Sequence, residues 1–264
     1  MTGSVETVVP IVTLLGVGKT FASGTIALDR LDLTVRKGEF LTLLGPSGCG
    51  KSTALRLIAG LSTATRGTLA WGDASEAADG RIRDIGFVFQ DPTLMPWTSV
   101  AENVALPLRL RRWPAEKLWP RVASVLDRVG LSAFRDAYPR ELAGGMKMRA
   151  SIARALVTDP RLLLMDEPFA ALDEITRGKL NNDLLDLCQA MGMTVVFVTH
   201  SVFESVYLAN RIVVMTPHPG RVFATVDIGA PYPRDETFRT SAEYAGYCRL
   251  VSEALTGAMR AGSA

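Results

Sequence analysis

The chain has little that cross-links and little that titrates near neutrality. Of its 264 residues, three are cysteine and two are histidine. Cys49, Cys188 and Cys248 stand far apart. No CxxC pair marks a metal site, and an odd count argues against a disulfide framework, so a reduced compartment is the simplest setting. Charge of one sign is also missing: the formal net charge is +2, which excludes a global attraction to nucleic acid or acidic lipid. The local cluster Arg109, Arg111 and Arg112 reads as a solvated face. No run approaches the roughly twenty apolar residues that span a bilayer. The first Lys or Arg is Lys19, and the apolar run Val8–Val17 is broken by Pro10 and Thr13. That run reads as a first strand rather than a signal peptide. The chain is expected to be soluble by itself, so any membrane role needs a partner. Repeats, low-complexity tracts and an obvious linker are missing as well.

What is present is a large apolar fraction, 48%, enough for a sizeable core in one large or two small domains. Short apolar runs stand at Leu41–Leu44, Ile85–Phe89, Leu162–Met165, Thr194–Val198 and Arg211–Met215, with helical patterns between several of them. Such alternation implies an α/β fold with a mainly parallel, helix-covered sheet. The middle differs. Val122, Val125, Leu126 and Val129 recur at helical spacing, and Pro114 and Pro120 fit helix starts better than helix interiors. Further helices are expected over about Ala143–Val157 and about Ile175–Met191, the latter with Leu180, Leu184 and Leu187 on one face and interrupted by Gly178. Residues near 96–159 read as a helical insert. A terminal helix over Glu243–Met259 would turn Tyr247, Leu250, Val251 and Leu255 inward.

Four segments carry chemistry. The first is Gly45-Pro46-Ser47-Gly48-Cys49-Gly50-Lys51-Ser52-Thr53, which follows the apolar run Phe40–Leu44. It fits Gly-x-x-x-x-Gly-Lys-Ser, a loop whose glycines let backbone N–H groups converge on phosphate. Lys51 would reach the outer phosphates and the Ser52 hydroxyl would hold Mg²⁺. The helix that follows aims its positive end at the same spot. Cys49 lies in this loop, where packing is a simpler role than reactivity. The second segment is Leu162–Met165 followed by Asp166-Glu167: Asp166 would hold Mg²⁺ through water, and Glu167 would polarise an attacking water. An unperturbed Glu, with a pKa near 4.3, is a weak base, so positioning must contribute. The third comprises Gln90 and His200, each at the end of an apolar run. Gln90 would touch Mg²⁺ or water; His200 suits either a γ-phosphate contact or a plain polar strand end. The fourth is Leu142-Ala143-Gly144-Gly145-Met146, which opens a helix and offers a second anion-binding start. Phe21 suits base stacking and core packing equally.

In this order and spacing the segments resemble the ATPase subunit of an ATP-binding-cassette (ABC) transporter, over nearly the whole chain from about Leu14 to Pro219. The resemblance also rests on Met165-Asp166-Glu167-Pro168 and Ala171-Leu172-Asp173. It implies one ATPase domain over 1–264: a P-loop NTPase (RecA-like) core at about 1–95 and 160–230, an antiparallel β subdomain, a helical insert at about 96–159 and a tail at about 231–264. By this resemblance Phe21 stacks on the base, residues 45–53 bind ATP, and Ser52, Gln90 and Asp166 serve Mg²⁺. Glu167, His200 and Gln90 place the water. Two cassettes close head to tail, with ATP between one phosphate loop and the partner's Ala143, Gly144 and Gly145, while Asp173 communicates across the interface. The implied partners are a second ATPase subunit, in a homodimer, transmembrane permease subunits and, indirectly, an extracytoplasmic solute-binding protein; nucleic acid is not among them. The implied place is peripheral, on the cytoplasmic face of the inner membrane. The signature departs from the family's Leu-Ser-Gly-Gly-Gln, with Ala143 for the serine and Met146 for the glutamine, which implies a weakened site. A narrower resemblance, to nitrate/sulfonate/taurine-type importers, rests on Phe89–Trp97, Gly144–Arg149 and Pro217–Arg221. In it, Leu94, Met95 and Trp97 form part of a groove for a permease helix, against the plainer reading that Trp97 packs on the helical insert. A nucleotide-gated binding module and a non-transport ABC ATPase are the other classes weighed. The first would turn ATP over only incidentally. The second usually brings a long coiled coil or a second cassette, neither of which is in this sequence.

Overall fold

The computed structural model describes residues 10–72 and 84–262. Along the chain run β1 (Pro10–Thr20), β2 (Ile26–Arg36), β3 (Phe40–Leu44), α1 (Lys51–Ile58), β4 (Arg66–Trp71), β5 (Ile85–Val88), α2 (Val100–Leu110) and α3 (Ala115–Arg128). Two single turns of 3-10 helix, Ser132–Phe134 and Pro139–Glu141, lead into α4 (Gly144–Leu156) and β6 (Leu162–Asp166). Then come α5 (Glu174–Met191), β7 (Thr194–Thr199), α6 (Val202–Leu208), β8 (Arg211–Met215), β9 (Val222–Asp227), α7 (Glu236–Arg239) and α8 (Ala242–Ala261). The class is α/β, as the alternation of runs implies. Of the first apolar run, Val8 and Val9 lie outside the described residues; the remainder is in β1. The elements form two compact units, Met1–Ile82 with His200–Ala264, and Arg83–Thr199.

In the first unit β2, β1 and β4 make an antiparallel sheet. Its buried face is built from Val12, Leu14 and Val17 of β1 and Leu28, Leu31, Leu33 and Val35 of β2. The alternation in β1 is broken where the register shifts between Leu14 and Val17. Gly16 takes φ 58° at that point, and its N–H donates to Asp32 Oδ1 at 2.7 Å. Strand β3 pairs parallel with β8, and β8 pairs antiparallel with β9. All five residues of β3 are buried, which is why it reads as a continuous apolar run instead of an alternating one. A bidentate pair, Arg211 on Glu39 at 2.7 and 3.2 Å, ties the start of β8 to the turn before β3.

The tail of this unit is tightly held. Arg234, 4% exposed, donates to the carbonyls of Val206, Tyr207, Ala209 and Ala230 at 2.8–3.0 Å. It thereby satisfies the last turn of α6, whose carbonyls have no helical partner. Helix α8 packs against α6, β8 and β9 and buries Cys248, Val251 and Ala258. Leu250 is not inward as expected: it is half exposed. The buried stripe runs through Val251, and one residue along a helix turns the side chain by about 100°.

In the second unit β5, β6 and β7 are all parallel. Every residue of β6 and β7 is buried, which at about 1.5–3 kcal/mol per large apolar side chain makes these strands its anchor. Helix α4 packs on β5 across Gly86, where a Cβ would stand 2.8 Å from the Ala155 carbonyl oxygen. Pro114 does precede a helix, as the N-cap of α3, but Pro120 lies inside it. Burial of Leu118, Val122, Val125 and Leu126 offsets the roughly 3 kcal/mol that an interior proline costs. Helix α2, unmarked in the sequence reading, likewise contains Pro107. It begins at Ser99, whose Oγ accepts the Glu102 N–H at 3.2 Å. Within the arginine cluster, Arg109 pairs with Glu102 at 2.6 and 2.8 Å, and Arg111 with Asp84 at 3.2 Å.

Candidate nucleotide site and its family

Strand β3 delivers the chain into the loop at Gly45, and α1 leaves it at Lys51. Gly48 takes φ 77° and Gly50 φ 98°, a region that only glycine enters cheaply. At Gly50 a Cβ would also meet the Ala27 carbonyl oxygen at 2.6 Å and Leu28 Cδ2 at 2.7 Å. Gly50 is the N-cap of α1 and supplies no side chain to it, so the first-turn N–H groups are presented to whatever anion sits at the helix start. Lys51 is 3% exposed. Its Nζ donates to the Gly45 and Pro46 carbonyls at 2.8 and 2.9 Å, so the ammonium is held over the loop it belongs to. Cys49 is buried and backs the loop. A Cβ on Gly220 would stand 2.0 Å from the Cys49 carbonyl oxygen, so the segment around Gly220 packs directly behind the phosphate loop. The packing role of Cys49 is therefore the one realised.

Phe21 follows β1 in a turn closed by its N–H on the Thr25 carbonyl at 2.9 Å. It is 43% exposed, with Lys19 Nζ 5.5 Å from its ring centre. Of the two roles open to Phe21, core packing is not realised. His200 is exposed and directly precedes α6, whose N-cap Ser201 accepts the Glu204 N–H at 3.3 Å.

In the second unit β6 ends at Asp166, 8% exposed. Glu167 turns the chain away at φ 47°, and its N–H donates to Val198 of β7 at 3.0 Å. The carboxylates thus stand side by side at one strand end. Phe169, two residues on, packs against Phe197 of β7, ring centres 5.9 Å apart. Ala143 is the N-cap of α4 and makes no side-chain cap bond. Ala143, Gly144 and Gly145 share an open groove of about 610 Å³ with Leu172 and Asp173. Gly145 has a packing reason too, since a Cβ there would meet Thr176 Cγ2 at 2.9 Å. Asp173 caps α5, accepting the Thr176 N–H at 2.9 Å, and that bond holds its carboxyl below the usual carboxylate range. Gln90 is exposed just past β5, and Trp97, in the same loop, is 74% exposed. Trp97 therefore does not pack on the helical insert.

The ABC transporter family pattern matches residues 28–170. The chain belongs to the ABC transporter family. The cassette is 48% identical over 225 residues to an ABC transporter ATP-binding protein of Methanocaldococcus jannaschii, covering 85% of this chain and 82% of that one. It is 43% identical over 222 residues to the aliphatic sulfonates import ATP-binding protein SsuB of Bacillus licheniformis, covering 83% and 85%. Among solved structures, it superposes on a dimeric ATP-binding cassette in a post-hydrolysis state with ADP and Pi. The TM-score there is 0.71 at 34% identity, with 83% of this chain and all of that one covered. The cassette is an ATP-binding subunit and an ATP hydrolase of the ABC type.

Two residues that hold the loop after β5 carry no motif. Arg154, near the end of α4, donates to the Pro92 and Thr93 carbonyls and to Thr93 Oγ1, each at 2.8 Å. Asn103 of α2, fully buried, accepts the Met95 N–H at 2.7 Å. Its amide donates to Met95, Thr98 and Ser99 carbonyls and to Thr98 Oγ1. A sequence signal for Asn103 exists: it is a polar residue set among Val100, Val104 and Ala105 on a buried face. Arg154 has none, because arginine at a helix end is ordinarily a surface residue.

Proposed function

We propose that this cassette energises import of a small solute through a separate membrane permease, the solute being a sulfonate such as taurine, nitrate or a related small compound. The observation that carries the ATP-driven part is the phosphate loop, with its two left-handed glycines and the buried Lys51 held on the Gly45 and Pro46 carbonyls. The likeness to SsuB supports the solute class. In this reading Ser52, Gln90 and Asp166 offer the hard oxygen donors that suit Mg²⁺, and the positive φ of Gly48 and Gly50 fits a loop whose backbone N–H groups converge on phosphate. When bound, Mg²⁺ neutralises charge on the phosphate oxygens. The loop amides and Lys51 bind and orient the phosphates, the Phe21 face receives the base, and Glu167, with His200 and Gln90, holds the attacking water in line. Residues 96–159 form the helical insert of the ATPase domain.

The reading further makes the working unit a homodimer closed head to tail, with Ala143, Gly144 and Gly145 of one protomer against nucleotide held by the other and Asp173 at the interface. A solute-binding protein delivers the solute from outside, and the cassette works peripherally at the cytoplasmic face. No helix of the described residues is long and apolar enough to cross a membrane. The test is growth of a strain lacking this chain on nitrate, taurine, other sulfonates or the pyrimidine precursor of thiamine as sole source. Loss of growth on one of them, restored by wild type but not by Lys51→Ala, is expected. Normal growth on all would overturn the import reading. ATP hydrolysis by wild type equal to that of Glu167→Gln would remove Glu167 from the catalytic set.

A further inference from the structure

The loop from Gln90 to Trp97 is exposed at both named ends yet fixed from beneath at two places. Asn103 binds its second half at Met95, accepting the N–H and donating to the carbonyl, and holds Thr98 and Ser99 just beyond it. Arg154 binds its first half through three, on Pro92 and Thr93. Thr93 takes φ 47°, a region that a β-branched residue enters only when its surroundings over-determine it, at a cost of order a few RT. Both Thr93 acceptors, the carbonyl and Oγ1, are used by the one guanidinium. Among the described residues Arg154 has no carboxylate partner, and burial pushes its pKa down. A cation placed there on neutral acceptors is poorly explained as a stability device, because an apolar side chain would avoid its desolvation. Its planar fork suits the holding of two successive residues at once.

We propose that Arg154 is a positioning residue for Gln90: it fixes the loop two residues downstream of the glutamine and so sets where the Gln90 amide stands. Arg154 sits on the helix that starts with Gly144 and Gly145, so the loop holding Gln90 is built on the signature helix itself. This rests on the reading of Gln90 as a group that places Mg²⁺ or water. Misplacement by about 1 Å costs such a group up to about a hundredfold in rate, with nucleotide affinity set elsewhere, at the phosphate loop.

The experiment is a double-mutant cycle on ATP hydrolysis by the purified chain at one fixed protein concentration, with kcat and KM read separately. Arg154→Met is expected to lower kcat about tenfold or more while leaving the KM for ATP within about twofold. Gln90→Ala is expected to do the same, and the double variant to be no slower than Gln90→Ala alone, since both remove one function. Arg154→Lys, which keeps the charge but loses the fork, is expected to fall between wild type and Arg154→Met. If Arg154→Met does not fold, Arg154→Lys carries the same cycle. An unchanged kcat in the Arg154 variants overturns the proposal, and so does an equal fold-loss in the wild-type and Gln90→Ala backgrounds while Gln90→Ala alone is slow. If Gln90→Ala alone turns over at the wild-type rate, the reading of Gln90 itself falls and takes this proposal with it.

Discussion

At the scale of the single residue, Ala143 decides more than any other departure from the family's motif. As the N-cap of α4 it offers no side-chain acceptor to the first turn, where a serine would accept one orphan N–H. It also lines the open groove shared with Gly144, Gly145 and Asp173, where, in the proposed head-to-tail dimer, a hydroxyl would meet a partner-held phosphate. Ala143→Ser therefore has two separable consequences. The cap is expected to raise stability by about 1 kcal/mol, measured by urea unfolding. A hydrogen bond to a charged phosphate is worth about 1.5–3 kcal/mol, so turnover is expected to rise by about tenfold or more. A gain in stability with no change in ATP affinity or turnover would assign the residue to the helix alone.

At the scale of the element, the same separation of causes explains what was legible in the sequence. Strands β3, β6, β7 and β8 could be read to within a residue at either end because a strand covered on both faces is a short continuous apolar run. The antiparallel strands could not be read as easily. In β1 the register shifts interrupt the alternation, and β4 has no buried residue to mark it. Helix α2 was hidden by Pro107 although its start was written in Ser99 and Glu102, an N-cap and the third residue of the first turn. The candidate site divides in the same way. Its phosphate loop is legible because glycine is required where φ is positive, at Gly48 and Gly50, and its strand-end carboxylates because they break apolar runs. The supports under the loop at 90–97 are not, because Asn103 and Arg154 act on backbone groups that no motif names. Asn103 tests this directly. Asn103→Ala leaves the Met95 N–H and several carbonyls without a partner in a buried place, and is expected to cost about 2–3 kcal/mol, read as a fall in the urea midpoint. A loss below about 0.5 kcal/mol would mean that the loop finds other partners.

At the scale of the whole molecule, burial makes the cysteines silent. All three are buried, and burial pushes the Cys188 thiol up to about 12 and raises that of Cys248. A thiol whose pKa lies above the working pH stays protonated, and the thiolate is the reactive form. At pH 8 iodoacetamide is expected to label neither Cys188 nor Cys248 in the native chain within the time that fully labels the chain in urea. Fast labelling of Cys49 in the native state would show that the phosphate loop opens on its own. If ATP closes two copies, that loop should instead become part of an interface. Ala143, Gly144 and Gly145 lie open beside Asp173, and one solved relative with ADP and Pi is a dimer. Two sites shared between two copies make association conditional on nucleotide, so that mass action links ATP binding to dimer formation. Glu167→Gln, which should bind ATP and retain it, is expected to run as a dimer by size exclusion with ATP and as a monomer without it. Lys51→Ala is expected to stay monomeric in both. Dimers of Glu167→Gln that form equally with and without ATP would uncouple association from the nucleotide and remove the groove at Ala143–Gly145 from the working interface.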